Sequence, residues 1–570
     1  MIPTASATRG AEVDMLLHWR GRERYTVFDA DYGDGSGVRA LVQAWRDDPL
    51  RPARLHVVAR AGGLMPGFHR IAQAETGVTL DLLSAPLDAA LAQLVARLDF
   101  IRLHGIACEG TAFARPLARI AAADAQLQAW GLNAAQAAAL AGEGFAFEDA
   151  SPGEAHFASR KPRLPVPPTP QRRAIVIGAG IAGSAACERL CARGWEVTLI
   201  ERHARPAMEA SGNHAGIFMP LVSKDDNIPT RLVRSAFLYA LRYWEALGGI
   251  GRAMDGAACG VLQLARDAAH ARVQRAIAAS GHYPAQFASW LEQPEAEALL
   301  GRPAPDGGWL FPQGGWARPG SVCEAMLAAC GDRLRAHFGA GSVRLERAGG
   351  EWAVIDERGQ VLARAATVIL ASGAGAAQFP QAAQLPLAAL RGQVSHIDAA
   401  ALPALPLVLC REAYVTPASH GICCAGATYD TDPDPALWQS SHDDNLAKLR
   451  ALLSDPHAAT GAPLEGRVGF RTVAPDRLPL VGRLPDFDAA GGTERLREVP
   501  RHPGLYGLLG YASRGITWAP LAAELLAAGL EGEPLPLEAS LADALDPARF
   551  VLRARRAPRG PHRIPTDPEQ

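Results

Sequence analysis

Residues Ala174–His203 read AIVIGAGIAGSAACERLCARGWEVTLIERH, and this pattern decides the fold of the larger part of the chain. The apolar run Ala174–Ile177 spells a buried strand. A turn carrying Gly178, Gly180 and Gly183 follows, then an alanine-rich helical stretch, Ala182–Arg193, and a second apolar strand, Glu196–Glu201. Strand, turn, helix and strand in that order make one βαβ unit with parallel strands. The three glycines have separate uses. The first permits the tight turn, the second lets backbone approach a pyrophosphate, and the third allows the helix to pack close to the strand. The helix N-terminus then offers N–H groups to the phosphate charge. Glu201 stands eighteen residues after Gly183, at the tip of the second strand, where a carboxylate can accept hydrogen bonds from a ribose. The unit reads as a dinucleotide site, shared by FAD and NAD, and the choice between them lies elsewhere in the chain.

Two later segments make that choice. ATVILASGAG, Ala366–Gly375, is an apolar strand ending in a small-residue turn at Gly373, and it resembles the segment that returns to the dinucleotide in flavoproteins. GLYGLLGYASRGITWAP, Gly504–Pro520, resembles the element that aims a helix N-terminus at the flavin ring, with Arg514, Gly515, Ile516 and Thr517 at its tip. Backbone N–H groups there would offset the negative charge of a reduced flavin. The expected cofactor is FAD.

Composition bounds the rest. A chain of 570 residues exceeds one core, so two or three domains are expected. Its 48% hydrophobic and 20% charged content is that of a folded, water-soluble protein. No apolar run approaches the ~18–20 residues that span a bilayer, and Arg9, Glu12 and Asp14 stand where a signal peptide would be apolar, so a cytoplasmic, membrane-free protein is expected. The nine cysteines show no paired CxxC spacing, which argues against a zinc site or a disulfide framework, and no metal is expected. A net charge of −2 gives no global attraction to nucleic acid, so any RNA contact must come from local basic patches.

The stretch SRKPRLPVPPTPQRR, Ser159–Arg173, is dense in proline and arginine and is expected to be a linker. Before it, Thr26–Ala30, Leu55–Ala59, Leu80–Leu83 and Leu98–Leu103 read as strands, alternating with the helical stretches Val38–Trp45, Leu87–Val95 and Ala112–Ala121. This is an α/β domain over residues 1–158 with a mainly parallel sheet. After it, residues 174–552 are expected to hold the dinucleotide layer and a second, antiparallel sheet built from Gly260–Ala265, Glu351–Asp356, Leu407–Leu409 and Tyr414–Thr416. A helix is expected at Ala519–Ala528. Beyond Phe550 the sequence loses apolar periodicity, and 553–570 is expected to be a disordered tail.

The segments ASGNHAGIFMPLVSKDDN (Ala210–Asn227), RGQVSH (Arg391–His396), YVTPASHGICCAGATYDTD (Tyr414–Asp432) and GFRTVAPDRLPLVGRLPD (Gly469–Asp486) carry a more specific likeness. With the dinucleotide segments, they make Ala174–Phe550 resemble the C-terminal FAD domain of the bifunctional tRNA 5-methylaminomethyl-2-thiouridine biosynthesis proteins, the MnmC family. Their parent group is the glycine oxidase and D-amino-acid oxidase superfamily. The resemblance implies a glycine-oxidase-like flavoprotein that removes the carboxymethyl group from 5-carboxymethylaminomethyl-(2-thio)uridine at the tRNA wobble position. It further implies tRNA as substrate, molecular oxygen as acceptor and a monomer. Ser211, Gly212 and Asn213 are implied to lie against the flavin, and Arg471 to grip the substrate carboxylate as the catalytic arginine. Planar guanidinium suits that task because it offers two parallel hydrogen bonds.

Within the family the N-terminal half is an S-adenosylmethionine-dependent methyltransferase of Rossmann-like fold. YGDGSG (Tyr32–Gly37) and Pro66–Leu83 resemble it, but three positions depart from it. Asp31 replaces the first glycine of the cofactor turn, LHVVARA (Leu55–Ala61) ends without an acid for the ribose, and FIRLHGIACEGTAF (Phe100–Phe113) puts His104 where an aspartate belongs. S-adenosylmethionine binding is expected to be impaired, with Arg51, Arg54 and Arg160–Arg163 left as candidate tRNA phosphate contacts. A bifunctional enzyme, a free glycine, sarcosine or D-amino-acid oxidase, and a non-catalytic RNA-binding module stand as alternatives.

Overall fold

The computed structural model describes residues 18–72, 77–104, 108–148, 151–158, 171–489, 491 and 493–556. Positions 159–170 of the expected linker, with Arg160–Arg163, and the tail from Ala557 lie outside the described residues. The chain divides into two compact units, Met1–Pro170 with Ala527–Ala542, and Gln171–Leu526 with Asp543–Gln570.

The first unit is built on strands β1 (Arg24–Asp29), β2 (Arg54–Arg60), β3 (Gly67–Ala72), β4 (Val78–Ser84), β5 (Leu98–His104), β6 (Ala121–Trp130), β7 (Phe145–Glu148) and β8 (Ser151–Phe157). They form one sheet in the order β3-β4-β2-β1-β5-β6-β8-β7. The central pairs are parallel, whereas β3 and the β8–β7 edge run antiparallel to their neighbours. Successive residues of β1 feed opposite cores, Val27 joining Leu41, Trp45 and Leu80 on one face, and Phe28 joining Ile101, Leu103 and Phe113 on the other. A strand buried on both faces reads as an unbroken apolar run, which is why the sequence shows it. The edge strand β3 escapes that reading because Arg70 lies inside it, buried and held in a fork by Asp81 of β4 at 2.8 and 2.7 Å.

In the second unit, β9 (Arg173–Ile177) and β10 (Glu196–Ile200) flank the helix Ile181–Cys191. They belong to a six-stranded sheet in the order Leu334–His337, β10, β9, Thr367–Leu370, Arg501–Leu509 and Leu480–Pro485, parallel except at the last pair. A second sheet of eight strands is antiparallel save where Val261–Leu264 meets Val408–Cys410, and it ends on the long pair Ala388–Asp398 and Leu464–Val473. Glu351–Asp356 is not part of it. That strand is the middle of a separate three-stranded meander, and its Trp352 and Val354 pack against the apolar face of the parallel sheet.

Two C-terminal expectations are corrected. The helix runs Gly515–Glu531, beyond Ala519–Ala528 at both ends, and the chain past Phe550 continues a helix, Arg549–Arg556. Phe550 and Val551 are buried, and Arg549 grips Asp476 with two hydrogen bonds of 2.9 and 3.0 Å. Ion pairing with Asp476 and the apolar contacts of Phe550 and Val551 hold this helix together, and its apolar face is too short for hydrophobic periodicity to reveal it. Among the described residues no helix is long and apolar enough to cross a membrane.

Candidate functional site

Where β9 ends, Gly178 turns with φ of +104°, and a Cβ there would lie 2.6 Å from the Ala371 carbonyl oxygen. The turn needs glycine on both counts. Gly183 sits in the first turn of the helix, with space for a Cβ closed by the Gly178 carbonyl at 1.8 Å, so its absent side chain lets helix and strand touch. Gly180 has ordinary φ, and a Cβ there would meet only the Ser211 hydroxyl at 3.2 Å. Its bareness keeps space open at the helix N-terminus, whose Ile181 N–H donates to Ser211 Oγ at 3.0 Å. At the tip of β10 the Glu201 carboxylate accepts from the Ala179 N–H at 2.6 Å and the His203 N–H at 2.9 Å. Two backbone donors fix its orientation, and a carboxylate so held keeps lone pairs for a further donor.

These elements wall a cleft of about 400 Å³ inside the second unit. Gly178, Gly180, Glu201, Ser211, Asn213, Gly373, Gly515, Ile516 and Arg471 all line it. Gly183, Gly212, Arg514 and Thr517 are not on its surface. Thr517 is buried, and Arg514, held below the usual arginine range by its burial, donates to the Met219 carbonyl at 3.4 Å. Gly212 leaves room for Arg467, whose Nη2 would lie 2.4 Å from a Cβ there. That guanidinium donates to Asn213 Oδ1 at 3.1 Å, to the Met208 carbonyl at 2.7 Å and to the Glu209 carbonyl at 2.5 Å. Asn213 is therefore occupied by Arg467, which sequence reasoning missed.

Arg471 reaches the cleft from the strand Leu464–Val473. A Cβ on Gly392, in the neighbouring strand, would lie 1.7 Å from its Nη1, so Gly392 makes the space the guanidinium occupies. Nη1 donates to the Thr428 carbonyl at 3.3 Å, and the group lies over the Tyr429 ring, 4.6 Å from its centroid. Among the described residues no carboxylate pairs with it. The cleft thus has nucleotide-type turns at one end and an uncommitted, oriented cation at the other, a suitable host for a flavin dinucleotide and a small carboxylate. Arg467, Gly469 and Arg471 alternate along one strand and so share a face. That spacing was visible in the sequence; the facing Gly392 was not.

Beside Asn213 stands His214, its ring 5.7 Å from His396 and 6.4 Å from His420. The Nε2 atoms of His214 and His396 are buried without a hydrogen-bond partner among the described residues. Burial first, then the neighbouring His420 and Arg318 for His214, and the neighbouring His214 for His396, hold both imidazoles below their ordinary value and keep them neutral at pH 7. In the first unit, Arg54 is paired with the buried Glu533 at 3.2 Å, which removes it as a free phosphate contact.

A family model described as FAD dependent oxidoreductase matches residues 173–528. The tRNA 5-methylaminomethyl-2-thiouridine biosynthesis bifunctional protein MnmC of Azoarcus sp. (strain BH72) is 42% identical over 590 residues, covering 95% of this chain and 92% of its own. The protein of the same name from Burkholderia thailandensis is 40% identical over 604 residues, covering 95% and 92%. Among solved structures, glycine oxidase from Geobacillus kaustophilus superposes with a TM-score of 0.52 at 20% identity, over 63% of this chain and 95% of that one. Iminodiacetate oxidase from Chelativorans sp. BNC1 gives 0.53 at 23% identity, over 64% and 96%. The two structures bear on the fold alone.

Proposed function

The chain belongs to the MnmC family of tRNA 5-methylaminomethyl-2-thiouridine biosynthesis proteins, and from that premise we propose that its second unit oxidatively removes the carboxymethyl group from 5-carboxymethylaminomethyl-(2-thio)uridine in tRNA, leaving 5-aminomethyl-(2-thio)uridine and glyoxylate. The observation that carries the reading is Arg471, an oriented guanidinium that no carboxylate among the described residues pairs with, on the same cleft as the dinucleotide turn.

The substrate is an N-substituted glycine. Arg471 holds its carboxylate by a forked pair of hydrogen bonds and so fixes the attached methylene, while Gly392 and Tyr429 fix Arg471. When bound, FAD supplies the acceptor for the hydride that leaves this methylene. A C=N bond forms between that carbon and the amine nitrogen, water adds to the carbon, and the C–N bond breaks to give glyoxylate and the primary amine. Gly178, Gly180 and Glu201 would hold the dinucleotide, Gly183 lets the helix close on the strand behind them, and the N–H groups at Gly515 and Ile516 would offset negative charge on the flavin ring. Molecular oxygen is the terminal oxidant, and the enzyme works as a cytoplasmic monomer.

The test is mass analysis of nucleosides from carboxymethylaminomethyl-tRNA incubated with the holoenzyme in air. Aminomethyl nucleoside and glyoxylate are expected in equal amounts. An unchanged tRNA, with rapid oxidation of free glycine or sarcosine instead, would replace this reading with a free amino-acid oxidase.

A further inference from the structure

The sheet of the first unit winds outward in two directions. From β1 the chain goes to β2 and then β4 on one side, and to β5 and then β6 on the other. In open parallel sheets, ligands bind outside the C-terminal strand ends at the point where the winding reverses. Here that point lies between β1 and β5, and the chain's own side chains occupy it. Asp29, the last residue of β1, faces Arg102 Nη1 at 3.9 Å and His104 Nε2 at 3.7 Å, both from the end of β5. His104 stacks on Trp130 at the end of β6, 5.0 Å between centroids. Arg102 reaches across to the first turn of the helix Ser36–Asp47, its Nη1 4.0 Å from where a Cβ on Gly37 would lie.

The glycine-rich turn after β1 is likewise closed on itself. The N–H of Asp31 donates to Asp29 Oδ1 at 3.1 Å, that of Gly33 to Asp31 Oδ1 at 3.1 Å, and that of Ser36 to Asp34 Oδ1 at 2.9 Å. The space above Gly35 is taken by the Tyr32 hydroxyl, 2.6 Å from a notional Cβ. At the tip of β2, where a ribose diol needs an acceptor, stands Arg60, whose Nε donates to the Ala85 carbonyl at 3.2 Å. S-adenosylmethionine brings a sulfonium, an ammonium, a carboxylate and a diol. A guanidinium suits the carboxylate, but the two cationic centres and the diol would meet Arg102, His104 and Arg60, with the strand-end carboxylate of Asp29 already facing the first two and bonded to the turn.

We infer that the first unit does not hold S-adenosylmethionine, and that the chemistry of this chain ends at the primary amine. For the identity of that amine the inference rests on the function proposed above. The reaction that consumes the product, if the base is to be methylated, is an N-methylation catalysed by a separate methyl-donor-dependent protein.

The experiment uses the full-length holoenzyme. It is titrated calorimetrically with S-adenosylmethionine, and separately incubated with that donor and tRNA already carrying 5-aminomethyl-2-thiouridine. No binding tighter than a Kd of about 100 μM and no methylaminomethyl nucleoside are expected. A tighter Kd, or any methylated product, overturns the inference. Starting from aminomethyl-tRNA separates the two claims, because a failure of carboxymethyl removal would sink the proposed oxidation and leave this outcome standing.

Discussion

At Arg471 the relevant chemistry is a single guanidinium and the bare position beside it. A charge-assisted hydrogen bond contributes roughly 1.5–3 kcal/mol, so Arg471→Ala is expected to lower kcat/KM for carboxymethylaminomethyl-tRNA by about tenfold or more while FAD stays bound. Arg471→Lys keeps the charge and loses the fork, and is expected to recover only part of that loss. Wild-type turnover by the alanine variant at limiting substrate would move the carboxylate site elsewhere. Gly392→Ala is the sharper probe, because its Cβ would lie 1.7 Å from Nη1 and must displace the guanidinium. It is expected to match Arg471→Ala in turnover, with flavin absorbance unchanged. Gly180→Val has the opposite signature, loss of flavin on purification, since the space it fills is at the helix N-terminus beside Ser211. Arg471 and Gly180 were legible in the sequence because residue type and spacing along the chain announce them. Gly392 and Arg467 were not, since their roles exist only through the register of two strands and the approach of a loop from another sheet.

Among the elements, those read correctly from the sequence are the ones whose apolar pattern faces a core, such as β1, β2, β5, β9 and the helix Ile181–Cys191. Glu351–Asp356 also packs an apolar face and departs from expectation only in the sheet it joins, whereas the C-terminal helix leans on polar contacts that no apolar pattern announces. The helix Arg549–Arg556 sits on Asp476, which accepts from Arg549 and Arg553. Burial alone would raise the Asp476 carboxyl, but the hydrogen bonds and charge of Arg549, with Arg553, win and hold it below 3.8. Removing one partner of such a pair strands the other, at a cost of about 3 kcal/mol. Asp476→Ala is therefore expected to lower Tm by several degrees and to free the C-terminal helix for proteolysis, whereas Asp476→Asn is expected to retain part of the contact. Because the carboxylate is favoured in the folded state, its contribution is complete well above pH 3.8 and disappears as pH falls through the depressed folded value. A protease-resistant C-terminus in Asp476→Ala would show that the apolar contacts of Phe550 and Val551 suffice.

Across the whole molecule, acid sensitivity is set by imidazoles rather than by net charge. His18 in the first unit, and His214, His396 and His442 in the second, are each held below the ordinary 6.5, in every case mainly by burial. Below pH 6.5 the unfolded chain takes up protons that these folded sites refuse, so the unfolded state binds more protons and stability must fall as pH falls. The loss begins at 6.5 and levels off only below the folded values. Asp99 and Asp543 run the other way. Burial pushes the Asp99 carboxyl up to about 6 despite the Thr26 N–H at 2.8 Å and Arg22 at 3.1 Å, and burial raises Asp543 with help from Asp546. Protonating a carboxyl whose folded value is raised favours the folded state, and for Asp99 this opposes the histidines between pH 6.5 and 5.5. Among the described residues, four histidines act in this interval against Asp99, so a net fall in Tm is expected over it for the holoenzyme. Replacing His214 and His396 with Gln, which carries no titrating proton, is expected to flatten the slope without shifting Tm at pH 8 by more than the cost of altered packing. An unchanged slope in that double variant would place the acid sensitivity in His18 and His442, and would remove the ground for treating His214 and His396 as neutral at pH 7.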